Sequence, residues 1–119
     1  KEIIMDENKI LEGYLVAALW SSVDGNCNPL DDRFTLEDIS QAAIDTAKAD
    51  INAFVNLAGD IDEEESQIGH DFWLTRNGHG AGFWDGDYPE DTEKVLMSAV
   101  ETFQPVYIYV GDDDKLYFE

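Results

Sequence analysis

The residues best suited to chemistry lie together between Gly69 and Tyr88, in the sequence GHDFWLTRNGHGAGFWDGDY. This segment holds both histidines of the chain and one of its two arginines. Histidine and aspartate are the usual zinc ligands and general bases, and strands present residues two apart on one face. One hypothesis is therefore a metal or acid–base site made of His70, Asp71, His79 and Asp85. Since the histidines lack the spacing of a metal motif and no serine or cysteine lies in the segment, a structural histidine is the competing interpretation.

The glycines of the same segment suggest a second use, the binding of an anion. Asn77-Gly78 is a strong hairpin signal and predicts two short strands, Phe72–Arg76 and Gly82–Trp84. The backbone N–H groups of such a tip can hold a phosphate or carboxylate, with arginine and histidine beside them. The candidate hairpin site consists of Arg76, Asn77, His79, Trp73 and Trp84. The alternative is a structural turn whose arginine pairs with a nearby acid, since the segment is neither a Walker nor a dinucleotide-binding loop.

The aromatic residues of the predicted hairpin raise a separate possibility. Adjacent residues of a strand point to opposite faces, so one of Phe72 and Trp73, and one of Phe83 and Trp84, would face away from the main core. Either the N-terminal helices cover that second face, or it is an exposed aromatic patch that docks a partner.

The elements that position this segment follow from the spacing of apolar residues. Three- and four-residue spacing predicts a first helix over Glu7–Ser21, with Asp6 as its N-cap. A capping-box pattern predicts a second helix from Thr35 that ends at Gly59. Ser40 is an alternative N-cap for that helix, after one separate turn.

The remainder of the chain predicts one more helix and a second hairpin. Pro89 lies near the start of the third helix, and Pro105 prevents its continuation. Val106–Val110 and Lys115–Phe118 are β-rich runs around an acidic turn. The predicted fold class is therefore α+β, a small antiparallel β-sheet backed by about three helices, in the order α-α-β-β-α-β-β. We expect a single domain over residues 1–119, with a helical part (1–68) and a hairpin, helix and hairpin part (69–119).

The charge of the chain is its least ordinary property. Twenty-seven acidic residues face seven lysines and arginines, which gives a net charge of −20. Direct binding to DNA, RNA or an anionic membrane is excluded on this ground, because such binding relies on Lys and Arg to neutralise phosphates. Three origins of the acidity stay open: mimicry of nucleic acid, adaptation to high salt, and acidity without a function. Because the acids are spread along the chain, they indicate a charged surface on a folded body.

Composition also limits the cofactors and the compartment. The single cysteine, Cys27, cannot form an intramolecular disulfide, and no apolar run approaches the length of a membrane span. A calcium loop beginning at Asp24 fails, because Pro29 and Thr35 stand where the glycine and the bidentate glutamate belong. We therefore expect a cytoplasmic protein that has no cofactor, no metal and no catalytic residue.

Three segments carry a resemblance to a known family. They are GHDFWLTRNGHGAGFWD at Gly69–Asp85, the stretch Tyr14–Phe34, and the closing Val106–Tyr117. Together they make the chain similar to a family of small acidic proteins, mostly uncharacterised, that tailed bacteriophages encode. The resemblance implies a phage origin and a role in the cytoplasm of an infected host cell. It implies no activity, cofactor or catalytic residue.

Charge and resemblance together predict a non-enzymatic phage accessory protein that binds a host protein. We expect that protein to have a basic, nucleic-acid-binding surface, which carboxylates at phosphate-like spacing would occupy. The carboxylates proposed for this contact lie along the second helix and at its two ends: Asp31, Asp32, Glu37, Asp38, Asp45, Asp60, Asp62, Glu63, Glu64 and Glu65. The alternatives are an adaptor or assembly protein that docks through the aromatic hairpin, and an anion- or metal-binding domain at that hairpin.

Overall fold

The computed structural model describes residues 6–24, 26–59, 61, 63–78, 83 and 88–119. These residues form four α-helices followed by two short antiparallel strands, and two 3₁₀ turns (Leu30–Asp32 and Leu36–Asp38) connect the first two helices. The elements are α1 (Glu7–Ser21), α2 (Gln41–Ala58), α3 (Glu65–Arg76), α4 (Glu90–Val100), β1 (Ile108–Val110) and β2 (Leu116–Phe118). The α+β class is confirmed, whereas the predicted order of elements is wrong at one place.

That place is the predicted strand Phe72–Arg76, which is the last part of helix α3. Asn77 is the C-cap of the helix, and Gly78 follows with a φ of +73°. The Gly78 N–H donates to the Thr75 carbonyl oxygen, 3.2 Å away. A glycine with positive φ is a common way to end a helix, so Asn77-Gly78 is here a helix stop and not the tip of a hairpin. Of the second predicted strand, only Phe83 lies among the described residues, and its ring is buried.

The starts of the helices follow local signals in the sequence. The Asp6 carboxylate accepts the Asn8 N–H at 3.1 Å and caps α1. The Ser40 hydroxyl accepts the Ala43 N–H at 3.1 Å, so the alternative start of α2 is confirmed. The predicted capping box of Thr35 is also present, but it belongs to the separate 3₁₀ turn before α2.

Helices α1 and α3 touch through their backbones. An added Cβ on Gly13 would lie 1.9 Å from the Ser66 carbonyl oxygen of α3. An added Cβ on Gly69 would lie 1.8 Å from the Ile10 carbonyl oxygen of α1. Both distances are far shorter than any van der Waals contact, so only glycine permits this approach at either position.

Most residues of helix α3 from Ile68 onward are buried, and both of its aromatic residues lie in the core. The ring of Phe72 stacks on Phe54 of α2 with a centroid distance of 4.2 Å. Trp73 meets the ring of Tyr14 edge-on at 5.3 Å and packs against Phe118 at 5.6 Å. The expectation that one aromatic of this pair faces away from the core is therefore wrong, because the segment is a helix and both rings pack against neighbouring elements.

The two strands are those predicted, and they close the fold onto the start of α2. Tyr109 pairs with Tyr117 in the antiparallel register. On the other side of β2, the Ser40 N–H donates to the Leu116 carbonyl oxygen at 2.8 Å. Leu116 is completely buried, so this contact joins the sheet to the core. Within the described part of the chain, no helix is both long enough and apolar enough to cross a membrane.

Candidate functional sites

Arg76, the centre of the predicted hairpin site, is a buried structural residue. Only 4% of its side chain is exposed. Its Nη1 donates to the Tyr14 hydroxyl at 2.9 Å and to the Asp50 carboxylate at 2.8 Å. Its Nε and Nη2 donate to the Gln104 carbonyl oxygen at 2.9 and 2.6 Å. The guanidinium therefore joins α3 to α1, α2 and the segment after α4, which favours the structural interpretation of this arginine over the anion site.

Burial in the core controls the ionisation of Tyr14. Burial of the phenol raises its pKa to about 12, although the Arg76 charge acts in the opposite direction. Since the unfolded chain has the ordinary value of 10.0, the folded state holds this proton over a pH range in which the unfolded state releases it. The resulting stability is complete below pH ~10 and is lost as the pH rises towards ~12.

Replacing Tyr14 with phenylalanine should remove this pH dependence. Between about pH 10 and pH 12, the free energy of unfolding of the wild type should fall more steeply than that of Tyr14→Phe, by up to about 1.4 kcal/mol per pH unit. Urea unfolding at half-unit pH steps, followed by far-ultraviolet circular dichroism, measures both slopes. Parallel curves for the two proteins would show that the Tyr14 proton is not linked to folding.

The other described members of the hairpin site also have structural contacts. The Trp73 indole is buried, and its Nε1 donates to the Ser21 hydroxyl at 2.8 Å. The Asn77 side chain donates to the Trp73 carbonyl oxygen at 3.0 Å and accepts the Val106 N–H at 2.8 Å. His79 and Trp84 lie outside the described residues. The side chains of Trp73, Arg76 and Asn77 thus connect the end of α3 to neighbouring segments of the fold. These three residues do not form the exposed tip of a hairpin.

The hypothetical metal or acid–base site is only partly described. Asp71 is buried and accepts hydrogen bonds from the Tyr88 hydroxyl at 2.7 Å and from Gln67 Nε2 at 2.9 Å. His70 Nδ1 lies 3.7 Å from the Asp71 carboxylate and has no hydrogen-bond partner among the described residues. His79 and Asp85 lie outside these residues. The described residues contain no group of three His, Cys, Asp or Glu side chains that could hold a metal ion.

Of the described acidic residues proposed for partner binding, five are exposed and three, Asp38, Glu63 and Glu65, are half-buried. Asp31, Asp32 and Glu37 lie on the two 3₁₀ turns and are exposed. Asp45 is an exposed residue of α2 that accepts a hydrogen bond from Gln41. Asp60 and Asp62 lie outside the described residues. The remaining members, which lie in the second 3₁₀ turn or at the start of α3, are Asp38, Glu63, Glu64 and Glu65.

Several acids in this set also hold local structure. The Asp38 carboxylate accepts the Thr35 N–H at 2.8 Å. The Glu64 carboxylate caps α3, and hydrogen bonds from the Ser66 hydroxyl and the Gln67 N–H lower its pKa. The Glu65 carboxylate accepts the Asp6 N–H at 2.9 Å. These contacts fix the positions of the three carboxylates.

The loop that fails as a calcium site is an Asx turn. The Asp24 carboxylate accepts the Asn28 N–H at 3.0 Å and the Asn26 N–H at 2.8 Å, and these hydrogen bonds lower its pKa. Local hydrogen bonds to the Asp24 carboxylate therefore hold this loop. Cys27 lies in the turn with a φ of 64° and is an exposed free thiol.

One surface feature was not predicted as a site, an apolar groove beside helix α1. Trp20 is 56% exposed and Val16 is 43% exposed. They line a groove of about 400 Å³, whose walls are Val16, Leu19, Trp20, Asp31, Thr35, Leu36 and His70. The sequence gives one signal for it, since Trp20 lies outside the apolar stripe that predicts the buried face of α1, which consists of Leu11, Tyr14, Leu15, Ala18 and Leu19.

Two adjoining features of the described surface lie between α1, α2 and α3. One is the set of exposed carboxylates on the 3₁₀ turns, and the other is the apolar groove beside them. Most described residues of the predicted hairpin are buried instead: Phe72, Trp73, Leu74, Arg76 and Phe83. Comparison of the chain with protein-family models, with curated proteins and with solved structures finds no significant match.

Proposed function

We propose that this chain is a phage-encoded accessory protein that binds a basic host protein in place of DNA. The observation that carries the proposal is a net charge of −20 on a chain that folds around a buried core. Unlike an acidic tail, a folded body holds its carboxylates in a fixed array. A fixed array steers association with a basic cleft and loses little conformational entropy when it binds.

The short turns between α1 and α2 are the best-supported part of such an array. Asp31 and Asp32 follow buried Leu30, and Glu37 lies in a turn that the capping box of Thr35 and Asp38 stabilises. The backbone that carries these three exposed carboxylates is therefore anchored at both turns. We assign to them the first contacts with the basic surface of the host protein.

The proposal predicts binding that salt weakens and DNA prevents. Immobilised protein should retain a nucleic-acid-binding protein from host lysate at low salt. The affinity for that protein, once purified, should fall at least about tenfold between about 50 and about 200 mM salt. An excess of duplex DNA should release the host protein from the immobilised chain, because DNA and this chain would occupy the same cleft of the host protein. Calorimetry or surface plasmon resonance with the purified partner measures both effects.

Matched variants locate the contact on the surface. Replacing Asp31, Asp32 and Glu37 by their amides should weaken binding about tenfold or more. The control replaces Asp91, Glu101 and Asp112, which are exposed residues of the same types outside the two turns, so the net charge changes equally. Equal losses of affinity in the two triple variants would show that binding depends on net charge alone and not on the position of the carboxylates. Binding that resists salt and DNA would reject mimicry and favour an adaptor that docks through apolar side chains.

A further inference from the structure

The apolar groove beside α1 continues into a second one. The second groove, of about 210 Å³, is lined by Glu12, Gly13, Val16, Ser66, Gln67 and His70. Val16 and His70 belong to both grooves, so the two form one continuous depression between α1 and the start of α3. We call this depression the α1–α3 groove. It runs from Glu12 at one end to Trp20, Leu36 and Asp31 at the other.

The floor of the α1–α3 groove follows one face of a helix. Glu12, Val16 and Trp20 are four residues apart, so they lie in a row along α1 that is about 12 Å long. The Trp20 ring also lies 5.7 Å from the His70 ring of α3. This neighbour supports the indole on one side, while more than half of the residue remains exposed. A large apolar side chain held in this way can anchor a partner at low entropic cost.

Charge selects the kind of partner. Glu12 lies at one end of the groove and Asp31 at the other, and no lysine or arginine lines either part among the described residues. An acidic rim around an apolar floor complements a segment that carries both basic and apolar side chains. A second copy of this chain is a poor occupant, because each copy has a net charge of −20.

We propose that the α1–α3 groove binds a basic amphipathic helix of the partner protein. Apolar residues of that helix contact Val16, Trp20 and Leu36, while its arginines or lysines lie next to Asp31 and Glu12. A guanidinium that reaches the face of the Trp20 ring adds a cation–π contact. This inference rests on the proposed function and adds to it the point at which the basic partner is anchored.

Two synthetic peptides test the inference. Both are helical, of equal length and equal arginine content, and one has leucines on its second face where the other has glutamines. The wild type should bind the leucine peptide at least about tenfold more tightly than the glutamine peptide. Trp20→Ala should abolish this preference and leave the weaker, charge-driven binding. Leu57→Ala should retain the preference, since Leu57 is equally exposed at 56% but lies on α2, outside the groove.

Each other outcome overturns the inference in a recognisable way. Equal affinity of the wild type for both peptides would mean that only charge contributes to binding. The groove would then have no role, and the proposed function would be unaffected. If Trp20→Ala and Leu57→Ala lost the preference for the leucine peptide equally, the α1–α3 groove would not be the site at which the peptide binds. Binding of neither peptide at low salt would contradict both proposals. A wild-type dimer in sedimentation that Trp20→Ala dissociates would make the groove an interface between two copies.

Discussion

Replacing Gly69 by alanine is expected to destabilise the fold by more than about 3 kcal/mol. The added methyl group would lie 1.8 Å from the Ile10 carbonyl oxygen, which is a backbone atom near the start of helix α1. No side-chain rotation can relieve this overlap, so the two helices must separate. Separation would loosen the packing of Trp73 and Phe72, which α3 contributes to the core.

This loss of stability is the opposite of the usual effect of the substitution, because glycine is a poor residue for a helix interior. In an exposed helix, Gly→Ala is stabilising by about 1 kcal/mol, so the close packing of α1 and α3 reverses the sign. Gly13→Ala should behave like Gly69→Ala, since its methyl group would overlap the Ser66 carbonyl oxygen.

Gly78→Ala provides the control for the glycine variants. Its Cβ would meet no atom within 4 Å, so its cost is limited to the positive φ, about 1–2 kcal/mol. Urea or thermal unfolding ranks the three variants. If Gly69→Ala were no less stable than Gly78→Ala, the direct contact between the two backbones would be refuted.

The second large effect is expected for Arg76→Met, which should cost about 3–5 kcal/mol of stability. Methionine fills part of the volume but donates no hydrogen bond. The Asp50 carboxylate, the Tyr14 hydroxyl and the Gln104 carbonyl oxygen would then lose their shared donor. The contacts of the guanidinium with the Phe72 and Phe103 rings, at 5.4 and 5.2 Å, would be lost as well.

The other arginine of the chain is a matched control. The Arg33 side chain is 57% exposed and lies 3.8 Å from Asp24, so Arg33→Met should change the stability by about 0.5 kcal/mol or less. Unfolding curves of the two methionine variants measure the difference. A fully stable Arg76→Met that no longer binds a phosphate probe would instead revive the anion-binding hypothesis for this residue.

Features of the fold that depend on neighbouring residues were predictable from the sequence. Asp6, Ser40 and the pair Thr35 and Asp38 form caps with groups two or three residues away, so their roles can be read without tertiary information. The C-terminal strands were likewise predictable, because β-rich runs flank an acidic turn.

Helix α3 was not predictable, since its sequence lacks the signal on which helix prediction depends. The buried residues of α3 are spread around the helix and do not form one apolar stripe, so the usual periodicity is weak. Buried Asp71 and Arg76 interrupt the apolar pattern further, because their partners come from distant segments. The Asn77-Gly78 pair then gave a strong but ambiguous signal, which can end a helix as well as turn a hairpin.

The exposed carboxylates and the α1–α3 groove also differ in how far the sequence predicts them. Net charge is a property of composition, and the exposure of Asp31, Asp32 and Glu37 follows from their position in turns. The α1–α3 groove depends on how α1, α3 and the second 3₁₀ turn pack together. Its floor combines residues from distant parts of the chain, so Trp20 alone was only a weak signal.

The contact of Ser40 with Leu116 has a consequence for the rate of folding. Backbone groups that are far apart in the sequence form this hydrogen bond, and the glycine contacts between α1 and α3 also join distant segments. Closing such long loops costs entropy before any contact compensates for it. A chain whose described part is mostly helical should therefore fold at the pace of a mixed α/β domain, more slowly than a bundle of helices that pack only on their sequence neighbours.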